Sequence, residues 1–199
     1  MIEQPMYEQQ SHLPRPRLHT PGYFREVIDM VAFAIAVFTL FELALPRSIV
    51  DGRSMEPSFE DRQRLVISRL HYWFSEPRRG DIIVFNSPQP RTENESALVK
   101  RVIGLPGETV EIRNQQVYIN GVLLNEPYIK EPCNTYRCRD GIWELGPDEY
   151  FMMGDNRNVS NDSRVFGPVP HQNIVGEVLF RYWPLDRFGV VQRYRFLAN

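Results

Sequence analysis

The feature that most constrains this chain is an almost uninterrupted apolar run of 19 residues, Val27–Leu45. As a helix it would be roughly 28 Å long, close to the roughly 30 Å hydrocarbon core of a bilayer. The stretch between Asp29 and Glu42 carries no charge, so each of these acids can lie near one membrane interface. Pro46 follows the run and would end the helix. These observations favour a membrane anchor over residues 25–46.

Two alternatives stay open for this run. The uncharged stretch is short enough for a buried core helix, and its position near the N-terminus also fits a cleaved signal peptide. The segment before it, residues 1–24, is polar and proline-rich and is predicted to be a flexible tail. That tail is too long for the leading part of a signal peptide, and no convincing cleavage site follows the run. The arginines around the run lean weakly towards a cytoplasmic tail, which predicts that residues 47–199 lie on the extracytoplasmic side of the membrane. The family resemblance given below implies that this is a bacterial plasma membrane.

After residue 46 the pattern predicts a mainly β fold. Short segments rich in β-branched residues alternate with turn residues, and no helical period of useful length appears after residue 60. The 16 prolines and 12 glycines suit such a chain better than a helix bundle. We expect a folded antiparallel β-sheet or barrel-like domain behind a single N-terminal transmembrane helix.

Composition excludes several classes of function. The 23 basic residues are balanced by 25 acidic residues, so no general basic field would attract nucleic acid. The 4 histidines are scattered without metal-ligand spacing, and the 2 cysteines are too few for a cysteine-cluster zinc site. We expect no metal, no cofactor and no nucleic-acid partner.

Two residues are candidates for nucleophilic catalysis. Ser54 lies in a turn-rich segment after the anchor, and Lys100 lies on a predicted strand whose two faces are both largely apolar. A serine hydroxyl needs a base to attack a carbonyl, and no histidine stands in a suitable context. A lysine can be that base only if burial lowers its pKa. Taken alone, each residue also fits a structural role, as a loop serine and as an edge-strand lysine.

Five segments in one order behind the apolar run carry a family resemblance. They are SMEPSF at Ser54–Phe59, RRGDIIVF at Arg78–Phe85, KRVIGLPGE at Lys100–Glu108, GDNRNVSNDSR at Gly154–Arg164 and RYWPLDRFG at Arg181–Gly189. With them the chain resembles the bacterial type I (leader) signal peptidases. Those enzymes are membrane-bound Ser–Lys endopeptidases that remove signal peptides from exported preproteins.

The resemblance implies a role for each residue of the site. Ser54 would be the nucleophile and Lys100 the general base. Ser160 would hydrogen-bond the lysine amine and orient it. Asp162 and Arg164 would form a structural salt bridge that holds the surrounding loop.

The resemblance also implies an oxyanion hole. The backbone N–H of Ser54 would supply one donor. Relatives can supply a second donor from a serine side chain, but that position is Gly52 here, so its backbone or a water must serve. Asn158 stands where many relatives have aspartate, and little effect on the chemistry is expected.

The substrate specificity is expected to be that of the same family. Its members cleave after small residues in the pattern Ala-X-Ala, and the substrate would lie extended against a strand. The matching apolar pocket positions are Val50, Met55, Phe59 and Val99. Ser48 replaces a bulky apolar group of some relatives. The preference for a small residue at P3, the third residue before the scissile bond, is therefore expected to be looser.

Cys133 and Cys138 are close enough in sequence for a local disulfide, and an extracytoplasmic compartment would allow it. Some relatives carry a disulfide in this region, so the resemblance favours one that closes a loop without acting in catalysis. The segment Arg181–Asn199 is rich in arginine and aromatic residues. It fits a surface that touches lipid headgroups and a final strand with exposed arginines equally well.

The expected partners are signal-peptide-bearing preproteins and membrane lipid, with a monomeric enzyme. One rival hypothesis is a soluble Ser–Lys self-cleaving repressor with an N-terminal DNA-binding module. The apolar run and the lack of a helix-turn-helix pattern before Ser54 count against it. The other rival is a membrane-tethered β-domain that binds partners without catalysis.

Overall fold

The structure is a computed structural model that describes residues 22–89, 97–190 and 194. The chain divides into two compact units, Met1–Leu40 and Phe41–Asn199. Most of the predicted tail, residues 1–21, lies outside the described residues.

The N-terminal helix α1 spans Gly22–Ala44. It begins three residues before the predicted start of the anchor at residue 25, because no helix-breaking residue occurs between Pro21 and that point. By length and composition it could cross a membrane, and the membrane anchor stays a prediction.

The second unit consists mainly of short strands. In chain order these are β1 (Arg47–Ile49), β2 (Arg64–Ser68), β3 (Ile82–Phe85), β4 (Leu98–Gly104), β5 (Thr109–Arg113), β6 (Gln116–Ile119), β7 (Val122–Leu123), β8 (Gly141–Glu144), β9 (Glu149–Met153), β10 (Val169–Pro170), β11 (Ile174–Trp183) and β12 (Gly189–Val190). Two one-turn helices interrupt them, α2 (His71–Phe74) and α3 (Ser163–Phe166).

The strands form two antiparallel sheets. The larger has the order β1-β2-β11-β3-β4-β9-β10, with β12 paired to β11, and the smaller has the order β7-β6-β5-β8. Tight turns set the register of the small sheet, since Asn114, Gln115, Asn120 and Gly121 all have positive φ, as two-residue hairpin turns require. The predicted fold, an antiparallel β-sheet behind one N-terminal apolar helix, is confirmed.

Strand β4 positions the candidate site. It lies between β3 and β9, and its residues from Val99 to Ile103 are buried on both faces. The pairing with β9 begins at Arg101. Among the described residues, Leu98–Lys100 therefore pair with β3 only, which leaves the backbone of this stretch unpaired on its other side.

Gly176 tests how tightly β11 packs against β2. A Cβ atom at this position would lie 2.3 Å from the carbonyl oxygen of Ser68. Backbone cannot yield as a flexible side chain does, so we expect Gly176→Ala to lower the free energy of unfolding by about 1–3 kcal/mol. For a chain of this size that lowers Tm by several degrees, measured by circular dichroism.

The matched control is Gly189→Ala, because a Cβ at Gly189 meets no atom within 4 Å and its φ is not positive. Equal Tm values for the two variants would contradict the packing described for β11.

Candidate active site

The structure brings Ser54 and Lys100 together although 46 residues separate them. The Lys100 amine donates to Ser54 Oγ at 2.7 Å and to the carbonyl oxygen of Val99 at 2.9 Å. Lys100 is only 3% exposed, while Ser54, in the turn between β1 and β2, is half-buried. A nucleophile and a base within hydrogen-bond distance are the basic requirement of a catalytic dyad.

The surroundings of Lys100 make its amine a usable base. Burial lowers the pKa of Lys100 to about 8, because desolvation disfavours the cation. The negative charges of Asp162 and Asp155 act in the opposite direction, and the positive charge of Arg164 acts with burial. With a pKa of about 8, roughly one amine in ten is neutral at pH 7, compared with fewer than one in a thousand for an ordinary lysine.

The loop from Gly154 to Ser160 supports the backbone of Ser54. The Asn156 backbone N–H donates to the Ser54 carbonyl at 3.0 Å, and its side-chain amide donates to the Arg53 carbonyl at 3.1 Å. A Cβ at Gly154 would lie 2.3 Å from Ser160 Oγ and 2.5 Å from the Ser54 carbonyl oxygen, so only glycine fits there. Sequence reasoning did not single out Asn156, although it lies within one of the quoted motifs.

The structure does not form the predicted hydrogen bond between Ser160 and the Lys100 amine in the part of the chain that it describes. The Lys100 amine donates to Ser54 and Val99. Ser160 is buried and lies close enough to Asp162 to help lower the pKa of that carboxyl. The orienting role of Ser160 stays a prediction.

The predicted ion pair between Asp162 and Arg164 is formed in the structure. Arg164 donates to both carboxylate oxygens, at 2.8 Å from Nε and 2.7 Å from Nη2. Asp162 also accepts the backbone N–H of Gly154 at 3.0 Å. Burial alone would raise the pKa of Asp162, but the hydrogen bonds and charge of Arg164 and the Gly154 N–H outweigh it and lower the pKa.

A second buried ion pair, missed at the sequence level, joins Arg101 to Asp155. Both side chains are fully buried, and the two nitrogen–oxygen distances are 2.8 and 2.7 Å. Arg101 also donates to the Gly80 carbonyl at 2.8 Å and lies over the ring of Tyr128 at 4.2 Å. Strand β4 therefore buries two adjacent cations, Lys100 and Arg101.

The structure joins Cys133 and Cys138 in a disulfide. Its sulfur atoms lie 3.4 and 3.2 Å from Nη1 of Arg164, which connects the cysteine loop to the ion pair of Arg164. Asn158 forms a second connection, because its side-chain oxygen accepts the backbone N–H of Asn134 at 2.8 Å. The sequence did not predict this structural role for Asn158.

A cavity of about 160 Å³ lies beside Ser54. Its lining residues are Ile49, Val50, Asp51, Ser54, Met55, Ala97, Leu98, Val99 and Lys100. Three of the predicted pocket residues, Val50, Met55 and Val99, line this cavity, and their contact with substrate stays a prediction. Phe59 lies one turn beyond Met55 and lines a different cavity with Arg181. Ser48 is also absent from the lining.

One backbone group of the predicted oxyanion hole is engaged within the protein. The Gly52 N–H donates to Asp61 Oδ1 at 2.8 Å. The Ser54 backbone N–H donates no hydrogen bond to any described residue. The oxyanion hole itself stays a prediction.

The C-terminal segment is described through residue 190 and at Tyr194. Arg181 donates to the carbonyl oxygen of Arg187 at 2.6 Å and to Gln63 Oε1 at 3.0 Å. Its guanidinium is therefore occupied within the protein. The remaining arginines of the segment after residue 190 lie outside the described residues.

Comparison with known proteins shows which family the chain belongs to. Residues 24–183 match the model of the family described as signal peptidase, peptidase S26. The chain is 43% identical to a probable signal peptidase I-1 of Synechocystis sp., over 84% of this chain and 86% of the relative. It is 39% identical to a signal peptidase I of Bacillus amyloliquefaciens, over 79% of this chain and 85% of the relative.

A crystal structure of a signal peptidase I from Enterococcus faecalis V583 is also similar, with 38% identity and a TM-score of 0.44, over 52% of this chain and 97% of that chain. The family match and the identities with full-length relatives define a peptidase of the S26 class. The chain belongs to the signal peptidase family, and within it to the bacterial type I signal peptidases.

Arg101→Met tests the buried ion pair. It would leave the carboxylate of Asp155 buried without its partner, so we expect the free energy of unfolding to fall by about 3–5 kcal/mol. The control is Arg113→Met, which breaks an exposed pair with Glu111 and should cost less than about 1 kcal/mol. Denaturant unfolding of both variants gives the comparison. Equal losses would show that the Arg101 pair contributes no more than an exposed one.

Proposed function

We propose that this protein is a membrane-anchored signal peptidase that cleaves exported preproteins by a Ser54–Lys100 dyad. The observation that carries the proposal is the 2.7 Å contact between the buried Lys100 amine and Ser54 Oγ. Membership of the peptidase S26 family supports the same reaction class.

The chemistry follows from the two side chains. The neutral Lys100 amine takes the proton of the Ser54 hydroxyl as Oγ attacks the scissile carbonyl. The Ser54 backbone N–H stabilises the oxyanion of the tetrahedral intermediate. The protonated amine then donates its proton to the departing amino group of the mature protein. In the second half, Lys100 takes a proton from water as the water oxygen attacks the acyl ester. The protonated amine then returns the proton to Ser54 Oγ as the ester bond breaks, and the signal peptide leaves as a carboxylic acid.

The cavity beside Ser54 supports a preference for small residues. Its apolar lining, which includes Val50, Met55 and Val99, surrounds a volume of about 160 Å³. The apolar walls of this space suit a small apolar side chain, in agreement with an Ala-X-Ala substrate. The unpaired backbone of Leu98–Lys100 borders the same cavity and can pair with an extended peptide.

The membrane arrangement is part of the proposal. Helix α1 would cross the plasma membrane once, with the second unit on the extracytoplasmic side as a peptidase domain and the tail in the cytoplasm. The Cys133–Cys138 disulfide supports this orientation, because such bonds persist in oxidising compartments.

The two rival hypotheses account for fewer observations. A soluble self-cleaving repressor leaves the exposed apolar surface of α1 unexplained. A binding domain without catalysis leaves the buried lysine beside Ser54 unexplained. Burying an amine is energetically unfavourable, and lysines with a lowered pKa are typical of functional sites.

Dyad variants test the reaction. In detergent, with a preprotein that carries an Ala-X-Ala site, we expect Ser54→Ala and Lys100→Met each to lower kcat by at least about 10²–10⁴-fold. Lys130→Met is the matched control, since Lys130 is a partly exposed lysine near the site, paired with Glu56 at 2.6 Å. It should retain most of the activity. Full activity of Lys100→Met would contradict the dyad.

The pH dependence tests the state of the base. Only neutral Lys100 can accept the Ser54 proton, so protonation at low pH removes activity. We expect kcat/KM for a peptide substrate to rise with pH through a midpoint near 8, the pKa of Lys100 in the folded enzyme. An optimum in the acid range would be incompatible with a lysine base.

A further inference from the structure

A second cavity, of about 400 Å³, lies where the turn that begins at Ser54 ends. Its walls include Pro57, Phe59 and two arginines, Arg181 and Arg187, and we call it the arginine cavity. It is more than twice as large as the cavity beside Ser54 and shares no lining residue with it. Its volume is in the range of ligand-binding pockets, and the proposed reaction gives it no role.

Arg181 brings into this cavity a positive charge that no described carboxylate pairs with. Its hydrogen bonds to described residues go to neutral oxygens, the backbone carbonyls of Arg187 and Ser58 and the side-chain amide of Gln63. Its Nη2 donates to no described residue, and its guanidinium carbon lies 6.0 Å from the centre of the Phe59 ring. A partly buried cation bound only to neutral acceptors is stabilised when an anion joins it.

Arg187 adds a second positive charge to the same cavity. Its side chain is about half exposed, and its Nη1 lies 3.3 Å from Glu60 Oε1. Burial and the charge of Arg187 lower the pKa of Arg181, while Glu60 and Asp186 raise it, and the overall direction is downward. The two neighbouring acids therefore do not compensate for burial and for the second guanidinium. The arginine cavity has the electrostatic character of an anion-binding site.

The arginine cavity lies close to Ser54 along the protein surface. Pro57 is three residues from Ser54, so their Cα atoms are at most about 11 Å apart. On the facing segment, Pro127 lines the cavity, and Lys130, three residues later, donates to Glu56 at 2.6 Å. This partly exposed pair of Lys130 and Glu56 therefore borders the way from Ser54 to the cavity.

The two parts of a preprotein must leave Ser54 in different directions, because the substrate chain passes over the nucleophile. The cavity assigned to the signal peptide ends at Ser54 and Met55, whereas Pro57 to Phe59 line the arginine cavity. Four residues of an extended chain span about 13 Å. The fourth and fifth residues after the scissile bond are therefore the ones that reach the arginine cavity.

We propose that the arginine cavity is a substrate subsite that binds an acidic side chain of the mature segment, at the fourth or fifth residue after the scissile bond. This subsite rests on the proposed function, since it takes Ser54 as the point of cleavage. The carboxylate would pair with Arg181 and Arg187. Because this contact is remote from the scissile bond, it forms equally in the bound substrate and in the transition state, and it lowers KM without raising kcat.

A matched pair of peptides tests the subsite. The full chain in detergent cleaves two internally quenched peptides that share one Ala-X-Ala site and differ only in carrying glutamate or glutamine at both the fourth and the fifth residue after it. We expect KM to be about fivefold to tenfold lower for the glutamate peptide, with kcat equal within about twofold.

Three variants locate the recognition. Arg181→Gln and Arg187→Gln should each reduce the KM ratio of the two peptides to less than about twofold. Arg113→Gln is the control, because Arg113 lies on β5 and pairs with Glu111, and it should keep the ratio of the wild type. Circular dichroism shows whether each variant is folded. Arg187→Gln decides the matter if Arg181→Gln does not fold, since the contact from Arg181 is to the backbone of Arg187.

The outcomes separate the subsite from the proposed function. Equal KM values of the two peptides with the wild-type protein would overturn the subsite and leave the peptidase function intact. A preference for glutamate that persists in both arginine variants would also overturn it, because the charge would then be recognised elsewhere. Cleavage of neither peptide by the wild-type protein would contradict the proposed function, and the subsite with it.

Discussion

The site depends on keeping a lysine amine buried without a carboxylate bonded to it. Two carboxylates lie close enough to Lys100 to raise its pKa, those of Asp162 and Asp155. Each is bound by an arginine of its own, Asp162 by Arg164 and Asp155 by Arg101. The acids are therefore neutralised locally, and desolvation determines the protonation of the lysine. A direct Lys–Asp pair would hold the amine in its charged form and remove the base.

The fold supplies this arrangement through one strand and one loop. Strand β4 is buried on both faces, so it can direct Lys100 towards Ser54 and Arg101 into the protein on the opposite side. The loop after β9 supplies both acids and also binds the backbone of the nucleophile through Asn156. A single loop thus fixes the position of the serine and the electrostatic surroundings of the lysine.

The sequence was sufficient for the class of fold, and it indicated Ser54 and Lys100 as a candidate pair. Apolar length predicts α1, and β-branched segments between turn residues predict the strands. Ser54 and Lys100 required the family resemblance, because either residue alone fits a structural role. The apolar run continues through residues 41–44, which belong to the second unit. The length of an apolar run therefore does not indicate where the first unit ends.

What the sequence did not reveal depends on partners that are distant along the chain. Arg101 and Asp155 are 54 residues apart, so no local pattern indicates their pairing. The Gly52 N–H is taken by the Asp61 side chain, a contact set by the turn between β1 and β2. Phe59 is absent from the lining of the cavity beside Ser54 because it lies one turn beyond Met55.

The most direct test of this account is the titration of Lys100 itself. The chain has only 2 lysines, Lys100 and Lys130, so protein made with lysine labelled by ¹³C at Cε gives two signals, and a Lys130→Arg variant assigns them. The account predicts a Lys100 chemical shift that titrates with a midpoint near pH 8. A midpoint at the ordinary lysine value of about 10.4 would mean that the amine is charged at working pH, and would contradict its role as the base.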